Sequence, residues 1–407
     1  MRTLGRMDSR DRQTVVIGAG PAGLATAAQL RRLGIPVLVL ERADAVAASW
    51  RGRYDRLRLN SSRPFSKLPG ARYPRGTGMF PSRDQVVEYL ESYARDHELE
   101  IRFRTHVERI QRDETGWLLH TSTGEVPAGD VVVAAGYEHT FWVPKWPGRD
   151  TFAGRLIHSA EYRNAEEFRG EDVLVVGPGS SGMEIAYDLA ENGAARVRLA
   201  VRTPPNIILR EPLGPLLARL LVKLPTARAD RIMSFVRSKK IGDLTEFGLP
   251  EPEEGVVSRL KRLGVAPAIV DREVLAAIRD GRIEIVRAVE ALDEGGARLA
   301  DGSRIEPDAV IAATGYRTGL EPMVGHLGVL DEHGAPVTTV AEAAPGLRFV
   351  AYVHRPGLIG LMGEEAREAA RGIARAGRWT HAAGAVGRRW NARGLRGPRA
   401  VRVRGGV

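Results

Sequence analysis

The chain has 407 residues, 43% of them hydrophobic, with 46 glycines and no cysteine; that is enough for two domains of ordinary size, and it suits an α/β globule rather than a disordered chain. Without thiols there is no disulfide framework and no electron transfer through an intrachain cysteine pair, and nine scattered histidines without ligand spacing give no metal site. The net charge of +10 belongs to the end of the chain, because residues 371–407 hold ten arginines and no acid and leave a body of 50 basic and 50 acidic residues.

The first ten residues, M-R-T-L-G-R-M-D-S-R, lack the apolar core of a secretory signal. No apolar run approaches the roughly 18–20 residues of a membrane span, so a cytoplasmic protein is expected. Thr14 to Ile17 read as a buried strand. The turn G-A-G-P-A-G follows (Gly18, Gly20, Gly23), and Pro21 to Leu33 read as a helix that Gly34 closes. The next strand, V-L-V-L-E, ends at Glu41, which stands 18 residues past Gly23. That is near the roughly 20 residues at which an acid meets the ribose hydroxyls of a dinucleotide. Together these elements predict a dinucleotide site with its pyrophosphate at the helix N-terminus. Its expected contacts are Gly18, Gly20, Pro21, Ala22, Gly23, Glu41 and Arg42.

Segment 50–85 is polar and loop-rich, running from Trp50 through Y-D-R-L-R-L-N-S-S. Loops on a rigid scaffold carry function more often than core strands do, and Trp50 is assigned to the cofactor site. A helix is predicted over Arg83 to His97. Short strands alternate through 101–135, with Val107 a further expected cofactor contact, and end in V-V-V-A-A-G. The small residues Ala135 and Gly136 there allow a ligand or another backbone to come close. V-P-K-W-P-G (Pro144, Pro147, Gly148) reads as a crossover between domains.

A second strand–turn–helix begins at Asp172, with G-P-G-S-S-G supplying Gly177, Gly179, Ser180, Ser181 and Gly182 as expected contacts. The helix runs from Ser181 to Asn192 and Gly193 closes it. The following strand ends in Arg202 instead of an acid. A guanidinium pairs with a 2′-phosphate that an acid would repel, so this site is assigned to NADPH. Two dinucleotide sites imply that electrons pass between a flavin and a nicotinamide. Residues 203–258 interrupt the alternation with an apolar helix near 213–224 and a mixed one near 227–238. They form either a lid or substrate wall, or a packing and oligomer contact. The sheet resumes with R-I-E-I-V and a hairpin. D-A-V-I-A-A-T-G-Y-R then brings Thr314 and Gly315 into the set of expected cofactor contacts. A last helix, Glu364 to Ala376, returns to the first domain, and the P-G-L-I-G-L-M-G run before it is placed to aim backbone N–H groups at an anionic flavin ring.

These residues resemble the flavin-containing monooxygenases, and within them the YUCCA-like branch and its bacterial relatives. F-A-G-R-L-I-H-S-A-E-Y carries the family's F-x-G-x-x-x-H-x-x-x-Y signature as Phe152, Gly154, His158 and Tyr162, just ahead of the second glycine turn. The similar Baeyer–Villiger enzymes carry Trp where this chain has Tyr162. A-A-T-G-Y-R matches the second signature, a strand linking the two domains. Arg210, Glu211, Leu213 and Gly214 match a YUCCA-like L-x-R-E-x-L-G pattern, and Gly242 to Pro250 resembles a segment of the same branch. The run Pro267–Asp271 to Gly281–Ile283 also fits, with Arg272 where the family usually has Gly. The Asn-Ser-Ser at 60–62 is similar to a motif of the animal enzymes that places the Asn amide near the reactive edge of the flavin.

The resemblance implies an α/β fold of two dinucleotide-binding (Rossmann-like) domains, the NADPH domain inserted into the FAD domain. The expected boundaries are 1–148 and 301–376 for the FAD domain, 149–300 for the NADPH domain and 377–407 for a basic tail. It implies an FAD- and NADPH-dependent monooxygenase in which O2 adds at flavin C4a, with Asn60 as the catalytic donor that keeps the resulting hydroperoxide from losing H2O2. His158 has a structural role at least as readily as an acid–base one. Oxidative decarboxylation of a 2-oxo acid such as indole-3-pyruvate is the leading reading. Oxygenation of a soft N or S nucleophile, Baeyer–Villiger oxygenation, or an NADPH-oxidising flavoprotein with a binding role are the alternatives. The expected partners are a small-molecule substrate and O2, with no nucleic acid. A peripheral membrane contact through the tail or the apolar insertion, and a homodimer, stay open.

Overall fold

The computed structural model describes residues 13–376 except 115, 139, 265 and 353–357. The basic tail expected over 377–407 lies outside the described residues.

The first unit opens with β1 (Thr14–Ile17), α1 (Pro21–Arg32), β2 (Val37–Leu40), the single turn α2 (Ala48–Arg51) and α3 (Arg83–Asp96). Ser82 starts α3 with a capping box, its hydroxyl and the Gln85 side chain each satisfying the other's backbone N–H. After β3 (Ile101–Arg102) come a three-stranded meander, β4 (Val107–Asp113), β5 (Gly116–Thr121) and β6 (Gly124–Ala128), and then β7 (Asp130–Val133). β8 (Thr140–Phe141) leads into the second unit: β9 (Arg155–His158), β10 (Asp172–Val176), α4 (Ser180–Glu191) and β11 (Arg196–Val201). The insertion holds β12 (Ile207–Leu209), α5 (Gly214–Leu221), α6 (Thr226–Lys240), α7 (Val256–Leu263) and β13 (Ala268–Val270), and α8 (Arg272–Arg279) leads out of it. β14 (Glu284–Arg287), β15 (Val289–Asp293), β16 (Gly296–Leu299), β17 (Arg304–Ile305) and β18 (Ala309–Ala312) complete this unit. β19 (Tyr316–Arg317), α9 (Glu321–Val324), β20 (Glu342–Ala344), β21 (Leu347–Phe349) and α10 (Leu358–Arg375) return to the first.

Each unit is built on one sheet: β20-β21-β7-β1-β2-β3 in the first and β14-β11-β10-β18-β9 in the second. All pairs are parallel except β20 with β21. Central strands such as β1, β7 and β10 are buried on both faces, which is why they read as unbroken apolar runs without alternation. In the first unit α1, α3 and α10 cover one face and the β4–β6 meander with α9 covers the other. In the second, α4 and α8 pack on one face while Trp146 and the β15–β16 hairpin pack on the other.

Three expected boundaries are corrected. β18 pairs with β10 and β9, so the second unit runs through Ala312 and does not end at residue 300. The insertion does not close at 258, because β12 finds its parallel partner in β13. α10 begins at Leu358, not Glu364. Gly360 and Gly363 sit inside it because a Cβ there would meet the Phe65 carbonyl and the Pro69 ring; these glycines allow close packing and do not mark a turn.

Candidate active site

The two glycine turns have the same geometry. Gly18 and Gly177 take φ of +104° and +114°, and a Cβ on either would lie 2.6 or 2.5 Å from the carbonyl oxygen of Ala134 or Ala313. At Gly23 and Gly182 a Cβ would fall 1.8 and 1.9 Å from the Gly18 and Gly177 oxygens, so only glycine lets each helix start this close to its turn. At Gly20 and Gly179 a Cβ would meet nothing within 4 Å. These are the N-caps of α1 and α4, and neither helix has a side-chain cap or an acid in its first turn. The orphan N–H groups and positive dipole end of each helix face open space, a fit for a pyrophosphate. Pro21 stands at the first helical position, where an N–H is dispensable.

Around the first turn, Gly18, Glu41, Arg42, Val107 and Ala135 line one narrow cleft together with Met323. Glu41 is buried. Its Oε2 accepts from the N–H of Ala19 at 2.6 Å and its Oε1 from Ala43 at 2.9 Å, which leaves further lone pairs for hydroxyl donors. Gly136 follows with φ of +87°. Trp50 lies on α2, half-buried against the core beneath α1.

Around the second turn, the Ser180 hydroxyl accepts from the N–H of Ile269 at 2.9 Å, tying α4 to β13, and keeps its own O–H donor. Arg202 follows β11 directly, exposed and without a carboxylate partner among the described residues. Thr314 and Gly315 lie where the chain recrosses between units. The Thr314 hydroxyl donates to the Trp142 carbonyl, the Gly315 carbonyl accepts from Trp142 at 3.0 Å, and β19 pairs antiparallel with β8.

The Asn-Ser-Ser loop of the first unit docks onto the Arg-Glu-Pro run of the insertion. Arg210 donates to the Asn60 Oδ1 at 3.2 Å, and the Ser62 hydroxyl donates to the Pro212 carbonyl at 2.6 Å. Arg210 is 2% exposed and also pairs with Glu184 of α4 and, at 2.5 Å, with Asp271. The Tyr54 hydroxyl donates to Glu184 at 2.6 Å, and burial pushes its pKa well above the ordinary phenol value. Asn60 is thus joined to the second glycine helix through one buried cation.

The signature segment anchors this architecture. Gly154 is squeezed between the Phe152 ring and the Asp308 carbonyl. Tyr162 is buried and donates to Asp188 of α4 at 2.7 Å. His158 is buried with Nε2 against the Gly315 carbonyl at 3.1 Å, while its Nδ1 accepts from Ala160, so Nε2 carries the proton. Burial lowers its pKa below the ordinary 6.5. Both ring nitrogens are in use, which is a structural arrangement. Beside it Arg53 donates to Tyr316 at 2.6 Å and pairs with Glu138.

Sequence reasoning overlooked Tyr54, Glu184 and Asp271 as members of the site; Arg210 and Asp271 carried a signal only as members of family-like runs.

Two like glycine turns on two mainly parallel sheets give the two-domain dinucleotide-binding fold, in a chain without cysteine. Residues 15–211 match the family model of the pyridine nucleotide-disulphide oxidoreductases. The chain is similar to the indole-3-pyruvate monooxygenase YUCCA8 of Oryza sativa subsp. indica, 37% identical over 388 residues and covering 90% of this chain and 91% of that one. It is 34% identical over 360 residues to the probable indole-3-pyruvate monooxygenase YUCCA9 of Arabidopsis thaliana, covering 85% of each. The flavin-containing monooxygenase of Stenotrophomonas maltophilia shares the fold, with a TM-score of 0.69, 24% identity and coverage of 91% of this chain and 99% of that one. The chain belongs to the YUCCA-like flavin monooxygenases. It is an oxidoreductase that works with a flavin and a nicotinamide cofactor. Among the described residues no helix is long and apolar enough to cross a membrane.

Proposed function

We propose that the first cradle holds FAD, the second NADPH, and that the enzyme oxygenates a small 2-oxo acid of the indole-3-pyruvate type named in its plant relatives. The observation that carries the cofactor assignment is the pairing of two like cradles with unlike strand ends, a buried Glu41 at one and an exposed, unpaired Arg202 at the other. Bound flavin supplies the electron transfer and the activation of O2.

The chain's own residues bind and orient. The N-termini of α1 and α4 hold the two pyrophosphates. Glu41 accepts from ribose hydroxyls with the lone pairs its backbone partners leave, and Arg202 pairs with the 2′-phosphate. Asn60 donates a hydrogen bond at the reacting centre, and Arg210 decides which way its amide faces. A guanidinium has donors only, so Asn60 turns its carbonyl oxygen to Arg210 and keeps its NH2 for the other side. Arg210 is a positioning residue in this reading.

The Asn-Ser-Ser loop also favours a second reading, oxygenation of a soft amine or thioether. NADPH consumption in air across 2-oxo acids, amines and thioethers, with mass detection of products, separates the two. Stimulation by 2-oxo acids with loss of CO2 supports the first. An N- or S-oxide from an amine or thioether, without turnover of any 2-oxo acid, replaces it with the second.

A further inference from the structure

The insertion contains a helix that presents a second apolar face outward. Leu213, Leu216, Leu217 and Leu220, at and along α5, recur at the spacing of one helix face, which ordinarily packs on a core. Here all four are exposed, Leu213 at 67% and Leu220 at 55%. The inner side buries Pro215 and Leu221, and beside them Arg219 reaches Glu364 of α10 at 3.3 Å and lies over the Phe65 ring. Ile232 and Phe235 of α6 continue the ridge, Phe235 at 64% exposure. Leu217 and Phe235 line the same groove between the two helices.

The unpaired charges on the two helices are cations, while of the acids lining the same groove Glu211, Glu251 and Glu254 are held by Lys240, Arg237 and Arg262, and Glu253 is exposed. Lys223, Arg228 and Arg231 are exposed and have no carboxylate partner among the described residues. The single acid between residues 213 and 240 is Asp230. It is turned inward, accepting from the N–H groups of Val257 at 2.7 Å and Ser258 at 3.2 Å at the start of α7.

We propose that this ridge docks on an anionic lipid bilayer, with its leucines at the boundary between headgroups and acyl chains and its cations on the headgroups. A contiguous exposed apolar patch needs a covering partner, and charge selects which one. A second copy of this chain, meeting about a twofold axis, would set the ring of cations against its own image. An anionic surface complements it. The inference is independent of the cofactor and substrate assignments.

The test is flotation of the purified full-length protein with vesicles of phosphatidylcholine alone or mixed with phosphatidylglycerol, alongside sedimentation equilibrium. The parent should float with the mixed vesicles and less so at high salt. Leu216→Asp combined with Leu220→Asp should weaken binding by about tenfold or more, while flavin content and vesicle-free NADPH oxidation stay at parent values. Lys223→Glu with Arg231→Glu should remove the preference for anionic lipid. A chain cut after Ala376 should still bind. The proposal is overturned if the parent does not float, if the aspartate variant floats undiminished, or if binding leaves with the tail. It is overturned in favour of a second copy if the parent is a dimer that the aspartate variant breaks.

Discussion

The two glycine turns share the conformation of their leading glycines and the close approach of their third, and they differ informatively at two linked positions. In the first turn the residue between the leading glycines is Ala19, whose N–H is held by the Glu41 carboxylate at 2.6 Å. In the second turn that residue is Pro178 and the strand ends in Arg202. A buried N–H needs an acceptor, and proline has no N–H to satisfy. Where the acid is present the turn offers it a donor. Where a cation replaces the acid, the donor is gone too. In the proposed assignment, the first cradle's turn and strand end, more than twenty positions apart, act together through the Ala19–Glu41 bond.

Breaking the cradles separately should give the largest effects. Gly20→Leu should fill the open space at the first helix N-terminus. Losing two charge-assisted bonds of about 1.5–3 kcal/mol each lowers flavin affinity by at least about two orders of magnitude. The purified protein should be colourless, as absorbance will show. Gly179→Leu should stay yellow and lose NADPH oxidation instead. Yellow protein from the first variant would mean that the flavin lies elsewhere.

Arg202→Ala sharpens the comparison at the strand end. One ion pair with a phosphate corresponds to roughly 10- to 150-fold in affinity. The Michaelis constant for NADPH should rise by that factor while that for NADH stays nearly constant. An equal rise for both would remove Arg202 from 2′-phosphate recognition.

Asn60 tests the contact between the two units. Asn60→Ala should keep anaerobic flavin reduction near the parent rate and divert turnover to H2O2. A single bond of about 0.5–1.5 kcal/mol predicts a roughly 2- to 13-fold loss of coupling. Asn60→Asp should do the same, because it keeps an acceptor for Arg210 but has no donor. Arg210→Lys in the Asn60→Ala background should add nothing to the uncoupling. Lost reduction with coupling intact would assign Asn60 to the nicotinamide instead.

The smallest effect concerns His158. Its folded pKa lies below the unfolded 6.5. As pH falls through the unfolded value the unfolded chain binds the proton first, so stability drops with falling pH until the folded value is passed. The slope cannot exceed about 1.4 kcal/mol per pH unit for one group. Urea unfolding from pH 7 downward should show it, and His158→Asn should flatten it. An unchanged slope in the variant would place the titration elsewhere.

Which features could be read from the sequence follows from where their causes lie. The glycine turns were legible because steric limits on φ and Cβ act within six residues. Glu41 and Arg202 were legible because strand length fixes where they stand. Glu184 reads only as a charge within a helix, and Asp271 only as part of a run that resembles the family. Their meeting at Arg210 depends on the insertion folding back, which no local pattern records. β18 was placed in the wrong unit because parallel strands of both sheets are equally apolar, so composition does not say which sheet they join. The leucine stripe of α5 has the spacing of a core helix, and only its packing shows that it faces outward.

The units are held together in two different ways on two sides. On one side the chain itself crosses twice, as β8 and β19, with His158 stacked on Phe141 at 5.2 Å and set edge-on to Tyr316 at 5.0 Å. On the other, loop 52–62 of the first unit docks on the second through Asp55 to Arg163, Tyr54 to Glu184, Asn60 to Arg210 and Ser62 to Pro212. Asn60 belongs to this second junction, so the residue proposed to act at the reacting centre is also one that ties the two units together, and a change in how the units meet would be felt at its amide.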